Sequence, residues 1–206
     1  MTKGKFIVLE GIDGSGLSTQ AALLVPALAK RTGRKTLLTK EPTDGPAGLL
    51  IRQALSGRLR EVDQPTLALL FAADRLDHLR NLILPALARR EIVVCDRYLW
   101  SSRAYQGLEC DAAWVDEINR FARQPDLTVF LRVRPAVSLA RIAQSRPQAE
   151  LFEKEETLRR VLAEFETLFA AGRAAGRKVA AVDGEAAPAS VAAELERLAL
   201  AALAEN

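Results

Sequence analysis

Four runs of nearly continuous apolar residues mark the chain: FIVLE (6–10), IVVCD (92–96), LTVFLRV (127–133) and VAAVD (179–183). They are apolar at consecutive rather than alternate positions, the pattern of strands buried on both faces of a parallel sheet. TLLT (36–39) is a shorter fifth candidate. Between the runs the period becomes helical. Residues 17–32 carry Leu24 and Leu28 on one face, with Pro26 as an expected bend and Gly33 as the stop. A helix over 47–56 ends at Gly57, and 66–81 reads as a nearly continuous apolar helix followed by Pro85 and a helical stretch to Arg90. Asp111 is placed to cap a helix over 112–123, and another covers 136–145 after Pro135. A long amphipathic helix spans about 155–175, and a last one starts near Pro188. Alternating strands and helices predict an α/β fold, a parallel sheet wrapped by helices.

The sharpest punctuation lies between the first strand and the first helix. Gly11-Ile12-Asp13-Gly14-Ser15-Gly16-Leu17-Ser18-Thr19 fits the phosphate-cradling pattern G-x-x-x-x-G-K-[ST] at every defined position but one. Its glycines let backbone N–H groups approach phosphate oxygens, and the helix that follows aims its positive end at the same place. Ser18 supplies the hydroxyl that such loops place on Mg²⁺. Leu17 stands where the pattern has lysine, so the ammonium that reaches the β- and γ-phosphates is missing.

Composition narrows the class. At 206 residues, with 49% apolar and 27% charged residues, the chain has the makeup of one globular α/β domain, taken as 1–206. A net charge of +3 does not suggest a nucleic-acid footprint. Two cysteines, Cys95 and Cys110, have no metal-binding spacing and fit a reducing cytoplasm. MTKGKFIVLEG runs directly into a strand without a secretion-signal pattern, and no apolar stretch has membrane-spanning length. His78 lies among helical residues and reads as solvent-facing or packed.

Further segments carry polar chemistry where open α/β sheets place it, after the carboxyl ends of strands. KEPTDG (40–45) follows the second strand and contains Glu41 and Pro42, with Arg52 seven residues after Gly45 as a candidate phosphate clamp. In LLFAADRLDH (69–78), Phe71 and Arg75 share a helix face, an aromatic surface beside a guanidinium that suits a flat base. DRYLWSSRAYQG (96–107) follows the strand IVVC, so Asp96 is expected at Mg²⁺ or its waters and Arg97 at a phosphoryl group. RIAQSRPQAELFEK (141–154) is polar, basic and interrupts two helices, as a lid over phosphates would.

Together, GIDGSG-x-STQ, KEPTDG, LLFAADR, DRY-x-x-SS-x-AYQG and a basic segment ending ELFEK resemble the thymidylate kinase family of nucleoside-monophosphate kinases over most of the chain. The resemblance implies a P-loop fold with a five-stranded parallel sheet, usually in a homodimer. It also implies transfer of the γ-phosphate of ATP to dTMP with Mg²⁺. By motif, residues 11–19 fall at the ATP phosphates. Asp13 falls near the deoxyribose 3′-hydroxyl and acceptor phosphate, Phe71 on the thymine, Arg75 at the base, and Arg97 between acceptor and donor phosphates. Glu41, Pro42, Arg52, Ser101, Ser102, Tyr105 and Gln106 belong with the acceptor nucleotide. Phe152 crowds the sugar 2′ position. Ser18, Asp96 and Glu153 are the implied Mg²⁺ residues, and Arg141 and Arg146 the lid cations. Leu17 departs from the family pattern. Three outcomes follow from it: a slowed kinase in which a lid arginine serves, a nucleotide-binding protein with little turnover, or a laboratory substitution. Base choice rests on few contacts, so another deoxynucleoside monophosphate is the alternative acceptor.

Overall fold

The computed structural model describes residues 3–145 and 154–205. Within them, β1 (Lys5–Glu10), β2 (Thr36–Lys40), β3 (Ile92–Asp96), β4 (Leu127–Arg132) and β5 (Val179–Asp183) form one parallel sheet in the order β2-β3-β1-β4-β5. The short fifth run is therefore a strand, at one edge beside β3. β1 is central, and the chain crosses it between β3 and β4. That reversal of strand order opens a crevice at the carboxyl ends, where ligands bind in such sheets.

Each strand feeds both faces, as its continuous apolarity requires. Ile7, Leu9, Val94, Val129 and Leu131 pack under α1 (Leu17–Thr32) and α9 (Pro188–Ala204). On the opposite face Phe6, Val8, Val93 and Cys95 meet Leu79, Ile83 and Ala86. Phe130 on that face stacks on Phe165 of α8 (Glu155–Ala174), with Trp100 and Ala104 of α5 (Leu99–Tyr105) in the same cluster. α2 (Pro46–Leu55), α3 (Gln64–His78), α4 (Leu84–Ala88), α6 (Ala112–Ile118) and α7 (Pro135–Ser145) complete the helices among the described residues. α1 runs through Pro26, because Pro26 and Ala22 both lie at the surface, where solvent can take the carbonyl that Pro26 cannot satisfy.

Three local features depart from the periodicity reading. The long helix after residue 64 changes at Leu79–Ile83 into a π-helical segment before α4. DRYLWSSRAYQG contains a seven-residue helix, α5, that hydrophobic spacing did not reveal. α6 stops at Ile118 rather than 123, where the Asn119 side chain donates back to the Val115 carbonyl at 2.9 Å and accepts from Arg75. Among the described residues no helix is long and apolar enough to cross a membrane.

Candidate active site

The phosphate loop sits at the centre of the crevice. Gly14 and Gly16 adopt φ of +75° and +95°, a region that side chains rarely enter. A Cβ on Gly14 would lie 2.6 Å from the Ser138 carbonyl oxygen, so α7 approaches the loop only because Gly14 is bare. Ser138 donates its hydroxyl to the Asp13 carbonyl, and Arg141 donates to Ser15 O at 3.4 Å and Gly184 O at 2.9 Å. Residues 12–19 line one pocket with Asp96, Arg97, Arg141 and Ile142. Gly11 lies outside that lining and offers its carbonyl to Arg97 Nη1 at 2.9 Å. Leu17 is 5% exposed and packs into the cluster of Ile7, Leu9 and Ala21, so its side chain anchors the first turn of α1 to the sheet.

The exit of β3 supplies the charged centre. Ser18 donates to Asp96 Oδ2 at 2.5 Å, bringing a hydroxyl and a carboxylate to the mouth of the phosphate loop. Such an oxygen pair suits Mg²⁺, which keeps several waters and needs only one or two protein ligands. Among the described residues no larger cluster of His, Cys, Asp and Glu gathers. Arg97 has φ +70°, swinging its side chain back over the loop. Its Nη2 donates to Asp13 Oδ1 at 2.7 Å and its Nη1 to Ser101 Oγ at 3.3 Å, and the guanidinium lies over the Tyr105 ring at 5.5 Å. The Tyr105 oxygen accepts from the Asp13 N–H at 2.9 Å. Burial works against the Arg97 cation, but the negative charge of Asp13, Asp96 and Glu10 around it more than offsets that and holds its pKa above the ordinary arginine range. Burial raises the Tyr105 hydroxyl likewise, so it is neutral near pH 7.

Next to the phosphate pocket lies a second, partly open cavity of about 130 Å³. Asp13, Glu41, Pro42, Phe71, Arg75, Arg97, Ser101, Tyr105 and Gln106 line it, drawn from four separated segments. Leu55 and Tyr98 complete the wall; neither carried a signal in the sequence beyond being apolar or aromatic. Asp13 and Arg97 border both cavities. The side-chain amide oxygen of Gln106 is buried without a protein partner.

Several expected residues act through others. Arg75 is 1% exposed; its Nε donates to Glu41 Oε2 at 2.9 Å, and its Nη2 to Tyr98 O and Ser102 Oγ at 3.0 Å each, while Nη1 reaches Asn119 Oδ1. Glu41 engages Arg75 with one oxygen and His78 Nδ1 with the other, at 3.1 Å. His78 is packed, its Nε2 2.7 Å from Thr39 Oγ1. Ser102 lies behind Arg75 rather than on the cavity wall. Arg52 donates to the carbonyls of Pro42 and Thr43 and pairs with Asp44, bracing the KEPTDG loop instead of lining the cavity. Asp74 does the same by accepting from Thr43 N–H at 2.8 Å and Thr43 Oγ1 at 2.6 Å. Arg146, Phe152 and Glu153 lie outside the described residues.

Glu10 and Asn119 belong to no short motif and so give no signal in the sequence. Burial pushes the Glu10 carboxyl up to about 7, against the lowering influence of Ser101 and of the Arg97 and Arg75 charges.

The sequence also has relatives among known proteins. The family model described as Thymidylate kinase matches residues 9–181. A putative thymidylate kinase of Aeropyrum pernix is 44% identical over 181 residues, covering 87% of this chain and 86% of that one. A thymidylate kinase of Xanthomonas campestris pv. campestris is 41% identical over 207 residues, 98% of this chain and 86% of its own length. A probable thymidylate kinase of Pyrococcus horikoshii is 46% identical over 145 residues, covering 68% and 70%. With a phosphate loop at the sheet centre and an adjoining cavity that shares its acid and arginine, the chain belongs to the thymidylate kinase family.

Proposed function

We propose that the chain transfers the γ-phosphoryl group of ATP to dTMP, giving dTDP and ADP. The observation that carries this reading is the Asp13–Arg97 pair, 2.7 Å apart, on the boundary between the phosphate-loop pocket and the second cavity. A donor phosphate chain on residues 11–19 and an acceptor phosphate in the second cavity would meet at that boundary. The Arg97 fork reaches oxygens of both, and its fixed charge stabilises the transferring group. Asp13 holds that fork and faces the acceptor sugar. Phe71 offers an aromatic face to the thymine, and Arg75 is locked in orientation beside it. Tyr105, Ser101, Gln106, Pro42 and Leu55 enclose the nucleoside. Ser18 and Asp96, with Glu153, would hold Mg²⁺, which when bound neutralises charge on the phosphates.

In this reading a lid at about 141–154 belongs to a single kinase domain; residues 141–145 end α7 and 146–153 lie outside the described residues, and Arg141 and Arg146 would supply the cations that Leu17 does not. The loop cation is thus replaced in part, and turnover is real but slowed. A second reading, binding without turnover, is favoured by one observation: Arg141 spends donors on Ser15 O and Gly184 O. Exposed Leu49 and Leu50 on α2 and Leu69 and Leu76 on α3 support a homodimer. The two free cysteines fit the cytoplasm. A coupled ADP-release assay with dTMP, dUMP, dCMP and dGMP tests the proposal. The expected result is ADP release that depends on dTMP and is weaker with the others; release equal with and without every acceptor refutes it.

A further inference from the structure

Glu10 ends β1, directly before the phosphate loop, and is 1% exposed. A carboxylate buried so deeply is costly unless both oxygens are satisfied. Here Oε1 accepts from the N–H groups of Tyr98 and Trp100 at 3.0 Å each and of Ser101 at 3.3 Å, and Oε2 accepts from the Ser101 hydroxyl at 2.6 Å. These donors are the turn that follows Arg97. Tyr98, which precedes α5, makes no side-chain cap, so the first amides of α5 find their acceptor on another element. Arg97 itself holds φ +70°, a conformation that persists in a side-chain-bearing residue only where its surroundings enforce it. Its Nη1 donates to Ser101 Oγ, the hydroxyl that Glu10 orients by accepting its proton. α5 is also anchored by Trp100 and Ala104 in the core, so removing Glu10 frees the turn rather than the helix.

We propose that Glu10 is a positioning residue. Through the Tyr98–Ser101 turn and the Ser101 hydroxyl it aims Arg97 at the acceptor phosphate, and in this it rests on the reading of Arg97 given above. What the position demands is an acceptor at the right reach more than a charge. Gln in place of Glu10 keeps an oxygen for the three amides, and its NH₂ donates to Ser101 Oγ, which retains a lone pair for Arg97. Asp withdraws the carboxylate by one methylene, about 1.5 Å, and leaves the amides short of an acceptor.

The test compares Glu10→Gln, Glu10→Asp and Glu10→Ala by calorimetry with dTMP and with thymidine. The ratio of the two affinities isolates the contact to the phosphate. Glu10→Gln is expected to keep the ratio within about threefold, while Asp and Ala lower it by about tenfold or more with thymidine affinity unchanged. Equal losses for dTMP and thymidine, or a wild-type ratio in the Asp and Ala variants, overturn the proposal. If the wild-type protein binds the two equally, the acceptor reading of Arg97 fails instead. Amide hydrogen exchange at Tyr98, Trp100 and Ser101, which needs no ligand, then reads the hold of Glu10 on the turn. Faster exchange in Asp and Ala but not in Gln is expected, and unchanged exchange overturns that hold.

Discussion

Restoring lysine at position 17 is the perturbation that bears most directly on the departure in the phosphate loop. Leu17 begins α1 and borders the phosphate pocket from the core cluster, so a lysine stem that turns out of that cluster would carry its ammonium toward the β- and γ-oxygens of a donor bound there. A unit charge pair at ~4 Å is worth about 1 kcal/mol in water and about 4 kcal/mol at an effective dielectric of ~20. Expressed wholly in the transition state, that is a gain in kcat between about sixfold and about a thousandfold, and a partly open pocket falls between these limits. The substitution also has a structural cost, because Leu17 is 5% exposed in the cluster with Ile7, Leu9 and Ala21. Burying a leucine contributes ~1.5–3 kcal/mol, of which the lysine stem recovers a part, leaving a loss of about 1–2 kcal/mol. Leu17→Lys is therefore expected to turn over faster while unfolding at lower denaturant. Leu17→Met, which keeps the packing and adds no charge, should change neither by much. The assay is coupled ADP release at saturating ATP and dTMP, with urea unfolding alongside. A folded Leu17→Lys protein with unchanged affinities and a kcat gain below about twofold refutes the missing-cation reasoning. If Arg141 already fills the role, the gain shrinks and Arg141→Ala abolishes activity in the parent protein.

Phe71→Ala should weaken dTMP binding by about 1–3 kcal/mol through lost stacking, measured by calorimetry; an unchanged Kd removes Phe71 from the base site. Arg97→Ala should lower kcat by at least about tenfold beyond any change in KM, and Lys should rescue only in part, because one ammonium cannot hold Asp13, Gly11 O and Ser101 together. An unaltered kcat in Arg97→Ala assigns it a structural role. Glu10 also makes a pH prediction: with its folded pKa raised from 4.5 to about 7, the native state holds a proton that the unfolded chain has released between those values. Stability from this group therefore falls as pH rises through that window, by about 3 kcal/mol in all, and the penalty is complete above pH 7. Urea unfolding across that range should show a shallower decline in Glu10→Gln than in the wild type; parallel profiles refute the assignment.

Much of this was legible in the sequence because parallel α/β folds write their strands as continuous apolar runs. They also put their chemistry directly after them. KEPTDG, DRYLWSS and the phosphate loop all follow strands, and their side chains do converge. What was not legible depends on contacts between distant residues. α5 has no capping residue of its own, since its cap comes from Glu10, about ninety positions earlier. The π-helical turn at Leu79–Ile83 keeps helical spacing and so looks like ordinary helix. Arg52 and Glu41 have the residue types of ligand contacts, yet their charges are spent on the KEPTDG loop and on Arg75. Residue type announces that a charge has a partner, but only the fold says whether that partner is a protein group or a ligand.

The central claim is transfer of phosphate between two bound nucleotides, and the most direct measurement follows the phosphate itself. ATP labelled at the γ position is incubated with the wild-type protein, Mg²⁺ and dTMP, and the products are separated. The account predicts label in dTDP, formed in step with ADP and absent when dTMP is omitted. Label recovered only in ATP, or released as inorganic phosphate at the same rate with and without dTMP, would contradict it.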